Sequence, residues 1–301
     1  MKTKVLVITG PTATGKTDLS LELAEKFNGE IINADSMQFY QKLDIGTNKI
    51  SKDERERVPH HLIDFLPYTD NYSAGEYTRD ARKLIEQISN NNKLPILVGG
   101  SNFFIQTALG DRKLDGISSK SQRVANQDLN NDQLISDFQK LGINLESIPD
   151  AKNPRRLERA IEKLTDSPDV IFNEKPSIDN RIFDGLIIAL TTDREILYQR
   201  IDQRVDQMVE QGLETEAKML FDANGRTLQS GKAIGYQEWF DYFDNVTDQE
   251  QTINKIKTNT HRLAKKQITY IKNQFPDANW FDLITDPNQT INIEKLVSDW
   301  L

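Results

Sequence analysis

Read for apolar and polar positions alone, the chain alternates between two periods. Val5, Leu6, Val7 and Ile8 form an unbroken apolar run inside Lys4–Thr9, which predicts a strand buried on both faces. Leu19, Leu23 and Phe27 then recur at helical spacing through Asp18–Phe27, with Gly29 just beyond. A second apolar run, Glu30–Ala34, predicts another strand. Further on, Tyr77, Ala81, Leu84, Ile85 and Ile88 define the inner face of a helix ending near Ser89. Ser73 and Glu76 have the spacing of a capping box at its start. Pro95–Val98 predicts a third strand and Phe103–Leu109 a helix. A returning strand is expected over Phe183–Thr191. Helices follow over Arg194–Gly212, capped by Thr192 or Asp193, over Leu213–Phe221, after Ala233–Tyr236 as far as Phe243, and within Gln251–Pro276. Buried strands alternating with amphipathic helices predict an α/β fold with a mainly parallel sheet flanked by helices.

Between these halves the pattern changes. Residues 110–131 are polar and broken, Asp132–Leu141 has helical periodicity, and Asn153–Lys163 has it again with Pro154 in the first turn. The chain therefore divides into a first core segment, 1–110, a helical insertion, 111–185, and a second core segment, 186–301. Phe39–Gly46 and the polar stretch up to Pro59 have no clear period. His60 and His61 are adjacent, so on a strand they would point to opposite faces, and no third ligand is suggested. An ordered loop in which both histidines make local hydrogen bonds is expected there.

Composition narrows the classes. The 301 residues contain no cysteine, which excludes disulfides, thiolate metal sites and a cysteine nucleophile and fits the cytoplasm. No apolar stretch of 18 residues exists, so no membrane helix is expected, and the early first strand leaves no room for a signal peptide. The formal charge of −8 argues against generic nucleic-acid binding, but the basic residues are not evenly spread. Gln251–Pro276 carries Lys255, Lys257, Arg262, Lys265, Lys266 and Lys272 with no Asp or Glu, and Lys255, Arg262 and Lys266 share a helical face. Ile256, Leu263 and Ile271 can face the core. Arg155, Arg156 and Arg159 add a second basic helix. Two such helices on an acidic chain point to a polyanion larger than a nucleotide.

The chemistry is concentrated at Gly10–Thr17, a Gly-x-x-x-x-Gly-Lys-Thr segment between a strand and a helix. In that context Gly10 and Gly15 let the backbone wrap an anion. The intervening Thr12, Ala13 and Thr14 present N–H groups, Lys16 adds a point charge, and Thr17 offers a hydroxyl to Mg²⁺. Asp35 follows the second strand and Ser101 the third, and ligands of open α/β sheets bind outside those carboxyl ends. Asp35 could equally be a helix cap. Arg200 and Arg204 lie on one helical face, where pairing with Asp202 or Asp206 is the alternative to a site role.

Taken together, these segments resemble the tRNA dimethylallyltransferases, also called tRNA isopentenyltransferases. The resemblance is carried by Gly10–Thr17, Asp35–Tyr40, Asp44–Thr47, Pro59–Asp64, Pro95–Gly100, Asn153–Ala160, Arg200–Arg204, Ala233–Tyr236 and the basic Thr260–Gln267, in order from residue 4 to about 282. It implies transfer of a dimethylallyl group from dimethylallyl diphosphate to the exocyclic amine of the adenosine 3′-adjacent to the anticodon. Under it, Gly10 and Thr12–Thr17 hold the diphosphate with Mg²⁺, Arg204 contacts that diphosphate, and Asp35 is the general base. Ser101 replaces a threonine whose hydroxyl meets the target nucleotide, and Ser36, Met37 and Gln38 read it. Arg123, Arg155, Arg156 and Arg159 match positions that hold the anticodon stem-loop. A monomer is the default expectation. The chain departs from the family at Ser101-Asn102-Phe103-Phe104 and at Tyr270, and its insertion is shorter. Three other readings stand beside this one. A P-loop small-molecule kinase leaves the basic helices unexplained. A prenyltransferase of free adenine nucleotides would need no tRNA clamp. A non-catalytic RNA-binding protein leaves the phosphate loop unused.

Overall fold

A computed structural model describes residues 2–110, 136 and 180–301. By backbone contacts the chain divides into two compact units, Met1–Arg112 with Ile178–Leu301, and Lys113–Ser177. The helices expected within 111–177, and Arg123, Arg155, Arg156 and Arg159, lie outside the described residues. Residues 181–185, which the sequence pattern assigned to the insertion, belong with the sheet unit, where Gly110 and Arg181 form an antiparallel bridge.

In chain order the described elements begin β1 (Lys4–Thr9), α1 (Lys16–Lys26), β2 (Gly29–Asn33), α2 (Lys52–Arg57), β3 (His60–His61) and α3 (Ala74–Asn90). They continue with β4 (Leu94–Val98), α4 (Asn102–Leu109), β5 (Asp184–Leu190), α5 (Arg194–Glu210) and α6 (Leu213–Asp222). The last are α7 (Gln237–Phe243), α8 (Gln249–Gln274), β6 (Asn279–Phe281) and α9 (Gln289–Trp300). The strands form one six-stranded sheet in the order β3-β2-β4-β1-β5-β6, and every pairing is parallel.

Period-two alternation sorts the sheet's side chains into two layers. Val5, Val7, Ile32, Leu97, Ile187 and Ala189 pack on one face with Tyr77, Ala81 and Ile85 of α3 and Ile105 of α4. Leu6, Ile8, Ile31, Ile96, Ile188 and Leu190 pack on the other with Leu19 and Leu23 of α1 and Ile293 and Val297 of α9. Burying each such side chain contributes about 1.5–3 kcal/mol before the entropy of ordering it. A charge at Val7 would therefore be unpaired between sheet and helix layer. A third apolar cluster joins α5 to α8 around Tyr236 and Trp239, with Tyr40 and Leu43 reaching in from the loop after β2.

Local chemistry sets the boundaries. Ser73 and Glu76 close a capping box on α3, and Asp193 caps α5 by accepting from the N–H groups of Glu195 and Ile196. α2 sits inside the polar stretch where no period was visible. None of its residues is buried, and it is held by a second capping box, Ser51 with Glu54. The expected loop at His60 and His61 is instead an edge strand. Of the local hydrogen bonds expected, His60 has one, its Nδ1 lying 2.7 Å from the Val58 carbonyl, whereas His61 Nε2 lies 2.6 Å from Glu30 on the neighbouring strand β2. No group of three His, Cys, Asp or Glu able to hold a metal occurs among the described residues.

Candidate active site

The site follows from strand register. Ile8 of β1 and Asn33 of β2 both stand opposite Val98 of β4, so three neighbouring strands end at one level. The turns after them, 10–15, 34–38 and 99–101, converge beyond that edge, where a parallel sheet receives ligands.

The phosphate loop has the backbone its glycines permit. Gly10 has φ +144° and Gly15 φ +86°, and a Cβ at Gly10 would lie 2.5 Å from the Leu190 carbonyl oxygen. Lys16 Nζ donates to the Pro11 carbonyl at 2.7 Å, within the loop's own curve. Two helices distant in sequence grip the loop. Arg200 Nε donates to the Ala13 carbonyl at 2.9 Å and Arg204 Nη1 to the Thr12 hydroxyl at 2.8 Å. The alternative of a surface ion pair is not realised, since Asp206 pairs with Lys257 and Asp202 Oδ1 lies 2.8 Å from His261 Nε2. From α8, Gln267 accepts from the Thr12 N–H at 3.3 Å and donates to the Gly100 carbonyl at 3.0 Å, joining the loop to the end of β4.

Burial pushes the Lys16 ammonium down to about 8. Asp35 opposes that fall and Arg204 adds to it. Burial likewise lowers Arg204 to about 10 against the pull of Asp35. The Arg204 Nε–H is buried and has no hydrogen-bond partner among the described residues. Two confined cations thus stand next to one carboxylate, an arrangement that an incoming anion stabilises.

Asp35 is oriented by its neighbours. Asn33 accepts from the Asp35 N–H at 3.0 Å and donates to the Asp35 and Leu62 carbonyls. One carboxylate oxygen, Oδ1, accepts from the Met37 N–H at 3.0 Å within a turn, and no helix follows directly, so the alternative of a helix cap is not realised. Ser101 Oγ accepts from the Ser36 N–H at 3.0 Å and lies 3.2 Å from the Ser36 hydroxyl.

These groups face one cavity of about 410 Å³. Its polar wall includes Thr12, Asp35, Ser36, Ser101, Arg204 and Gln267, and its apolar wall Met37, Ile201, Val205, Met208, Ile256 and Leu263. Gly46, Thr47 and the turn Ala233–Gly235 close another side. Asp35 also borders a smaller recess of about 60 Å³ with Lys16, Thr17, Ser20, Asn33 and Gln38. Gln38 thus faces the recess, whereas Ser36 and Met37 face the main cavity.

The sequence reading missed the apolar wall because its residues carry the same spacing as core. Leu263, expected to face the core, is 37 % exposed and lines the cavity. Gln267 belonged to the quoted basic segment, yet a lone glutamine carries no signal of the two loops it bridges. The departure at Asn102-Phe103-Phe104 does not reach the cavity wall. Asn102 Oδ1 accepts from the Thr9 hydroxyl at 2.6 Å, Phe104 stacks on Tyr77, and Phe103 is exposed. Tyr270 is tolerated beside the core, its hydroxyl donating to Gln106.

The basic helix is partly neutralised. Lys255 pairs with Asp241 and Lys257 with Asp206, and Lys272 lies over the Trp280 ring. Arg262, Lys265 and Lys266 are exposed and have no acidic partner among the described residues.

With this geometry in place, comparison with known proteins becomes specific. The IPP transferase family matches over residues 38–274. A tRNA dimethylallyltransferase of Pediococcus pentosaceus is 43 % identical, covering 99 % of this chain and 97 % of its own. One from Leuconostoc mesenteroides is 39 % identical, covering 99 % and 98 %. Among solved structures, the tRNA isopentenylpyrophosphate transferase of Bacillus halodurans superposes with a TM-score of 0.75 at 34 % identity, covering 99 % of this chain and 96 % of that one. A eukaryotic dimethylallyltransferase acting on tRNA superposes with a TM-score of 0.84 at 29 % identity, covering 98 % of this chain and 80 % of its own.

Proposed function

The chain belongs to the IPP transferase family and is a dimethylallyl transferase acting on tRNA, and from that premise we propose how its cavity performs the transfer. The donor is dimethylallyl diphosphate and the acceptor is the exocyclic amine of the adenosine 3′-adjacent to the anticodon. One observation carries this reading. The main cavity has Thr12 of the phosphate loop and the Arg204 cation at one side and an apolar wall at another, and Asp35 borders both it and the adjoining recess that holds Lys16 and Thr17.

The diphosphate sits on the loop, where Lys16, the Arg204 Nε–H and the backbone of Thr12–Thr17 take its charge. The prenyl group lies against Ile201, Val205, Met208, Ile256 and Leu263, which exclude water from an allylic carbon with cation character. The adenine amine enters past Asp35 and Ser101. A C–N bond forms as the C–O bond to the diphosphate breaks. The amine proton passes to the Asp35 oxygen left outside the Met37 turn, and diphosphate departs. An aromatic amine is a weak nucleophile, so loss of that proton is what makes attack feasible.

Thr17 brings one hard oxygen donor to the recess beside Lys16. That is too few for an all-protein cage but suits Mg²⁺, which binds through one or two side chains plus phosphates. When bound, Mg²⁺ offsets charge on the departing diphosphate. The target base must leave its stack to reach the cavity. Arg262, Lys265 and Lys266 supply phosphate contacts that position the RNA without reading it. The protein works as a monomer.

The test combines labelled dimethylallyl diphosphate, Mg²⁺ and unmodified tRNA, with ATP plus tRNA in parallel. Label enters tRNA and is lost when the adenosine beside the anticodon is replaced. Phosphoryl transfer from ATP, or label on a free adenine nucleotide only, would overturn the reading. A kinase gives no reason for an apolar wall facing the phosphate loop.

A further inference from the structure

Two segments of the chain, Asp44–Thr47 and Ala233–Tyr236, have so far no task beyond closing the cavity, and both are held by one side chain on neither of them. Glu216, on α6, takes four hydrogen bonds. Its Oε2 accepts from the N–H groups of Asp44 at 2.8 Å and Ile45 at 3.1 Å, and its Oε1 from the Gly46 N–H at 2.9 Å and the Tyr236 hydroxyl at 2.6 Å. Three successive backbone N–H groups converging on a carboxylate form an anion nest filled by the protein itself. Burial and the nearby Glu216 carboxylate raise Tyr236 well above its ordinary value, so its hydroxyl stays a donor.

The two turns also interlock by shape. A Cβ at Gly46 would lie 2.5 Å from the Tyr236 ring, so the tyrosine lies directly against that glycine. Gly46 and Thr47 on one turn, and Ala233 and Gly235 on the other, line the same cavity as Asp35, Ser36 and Ser101. The same turn reaches Asp35 through a second route. The Thr47 and Asn48 carbonyls accept from Gln38 Nε2, each at 3.2 Å, and the Gln38 N–H bonds the Asp35 carbonyl at 3.2 Å.

We propose that Glu216 is a positioning residue for the acceptor: its carboxylate locks the 44–47 and 233–236 turns together into the wall against which the target nucleotide is held. The inference rests on the transferase reading above. It separates the two substrates physically. Diphosphate binding uses a loop that Glu216 does not touch, whereas acceptor binding uses the turns it fixes. Glu216→Gln keeps the shape but replaces one acceptor oxygen with an amide that faces N–H donors, opening the nest.

The experiment measures steady-state transfer to an anticodon stem-loop, together with the thermal shift that inorganic diphosphate and Mg²⁺ give the full-length protein. For Glu216→Gln, KM for the stem-loop rises about tenfold while the diphosphate-induced shift stays that of wild type. Tyr236→Phe, which removes one of the four donors and keeps the ring, gives a change of about threefold in the same direction and guards against a variant that does not fold. Unchanged KM in both variants, or a loss of diphosphate response in step with stem-loop binding, overturns the proposal. If wild type transfers no label, the transferase reading itself fails, a result distinct from either.

Discussion

The two walls of the cavity are built on different principles. The wall at the strand ends is made of turns: those carrying Thr12, Asp35–Met37 and Gly100–Ser101 are placed by the register of three strands and follow paths that only certain residues permit. The opposite wall is made of side chains on helices, Ile201, Val205 and Met208 from α5 and Ile256, Leu263 and Gln267 from α8. The first wall demands particular residues at particular spacings. The second demands an apolar surface of suitable size with two polar side chains, Arg204 and Gln267, set into it. Most of the groups proposed for the chemistry thus stand at the rigid edge of a sheet, and packed helices supply the apolar surface and one cation.

Substitutions should expose that division, and the largest effect belongs to the strand-end wall. Asp35→Asn is expected to lower single-turnover transfer by about a thousandfold while diphosphate still protects the protein against thermal unfolding. Near-normal turnover would remove Asp35 as the base. Next comes Lys16→Met, for which kcat/KM for the donor should fall about a hundredfold. The same variant should melt at a higher temperature than wild type without ligand. With a folded value of about 8, below that of the unfolded chain, the confined ammonium costs stability at neutral pH, and the cost fades as pH rises above 8. For the same reason, affinity of the free wild type for diphosphate should fall as pH is raised through 8. A titration of diphosphate affinity flat from pH 7 to 9 would contradict this. Thr17→Val should raise the Mg²⁺ concentration for half-maximal rate severalfold, read directly from a metal titration. On the helical wall the expected effect is smallest. Leu263→Ala should raise KM for the donor by about tenfold or less and leave kcat nearly intact, because it removes apolar contact shared by ground and transition states. A large fall in kcat there would erase the distinction between the walls.

That distinction also explains what could be read from the chain before its structure. The strand-end wall was legible almost residue by residue, since Gly10 and Gly15 are required by backbone geometry, Lys16 by its charge, and Asp35 and Ser101 follow the ends of recognisable strands. The sheet and most helix boundaries followed from apolar periods and capping boxes. α2 was hidden because a helix with no buried face has no period, and β3 because two residues are too short to show one. The helical wall was hidden for a different reason: Val205 and Leu263 occupy positions that would serve equally well in a core. Glu216 had no signal at all. Three of its four partners are backbone N–H groups some 170 residues earlier, and backbone has no letter in a sequence.

The amide bridge of Gln267 has a consequence for the birth of the protein. Thr12 and Gln267 are 255 residues apart, and at ribosomal rates of about 5–20 residues per second the loop would wait roughly ten seconds to a minute for its partner. The bridge joins two loops that both lie within the first 101 residues, so the earliest-made part of the site is completed only near the end of synthesis.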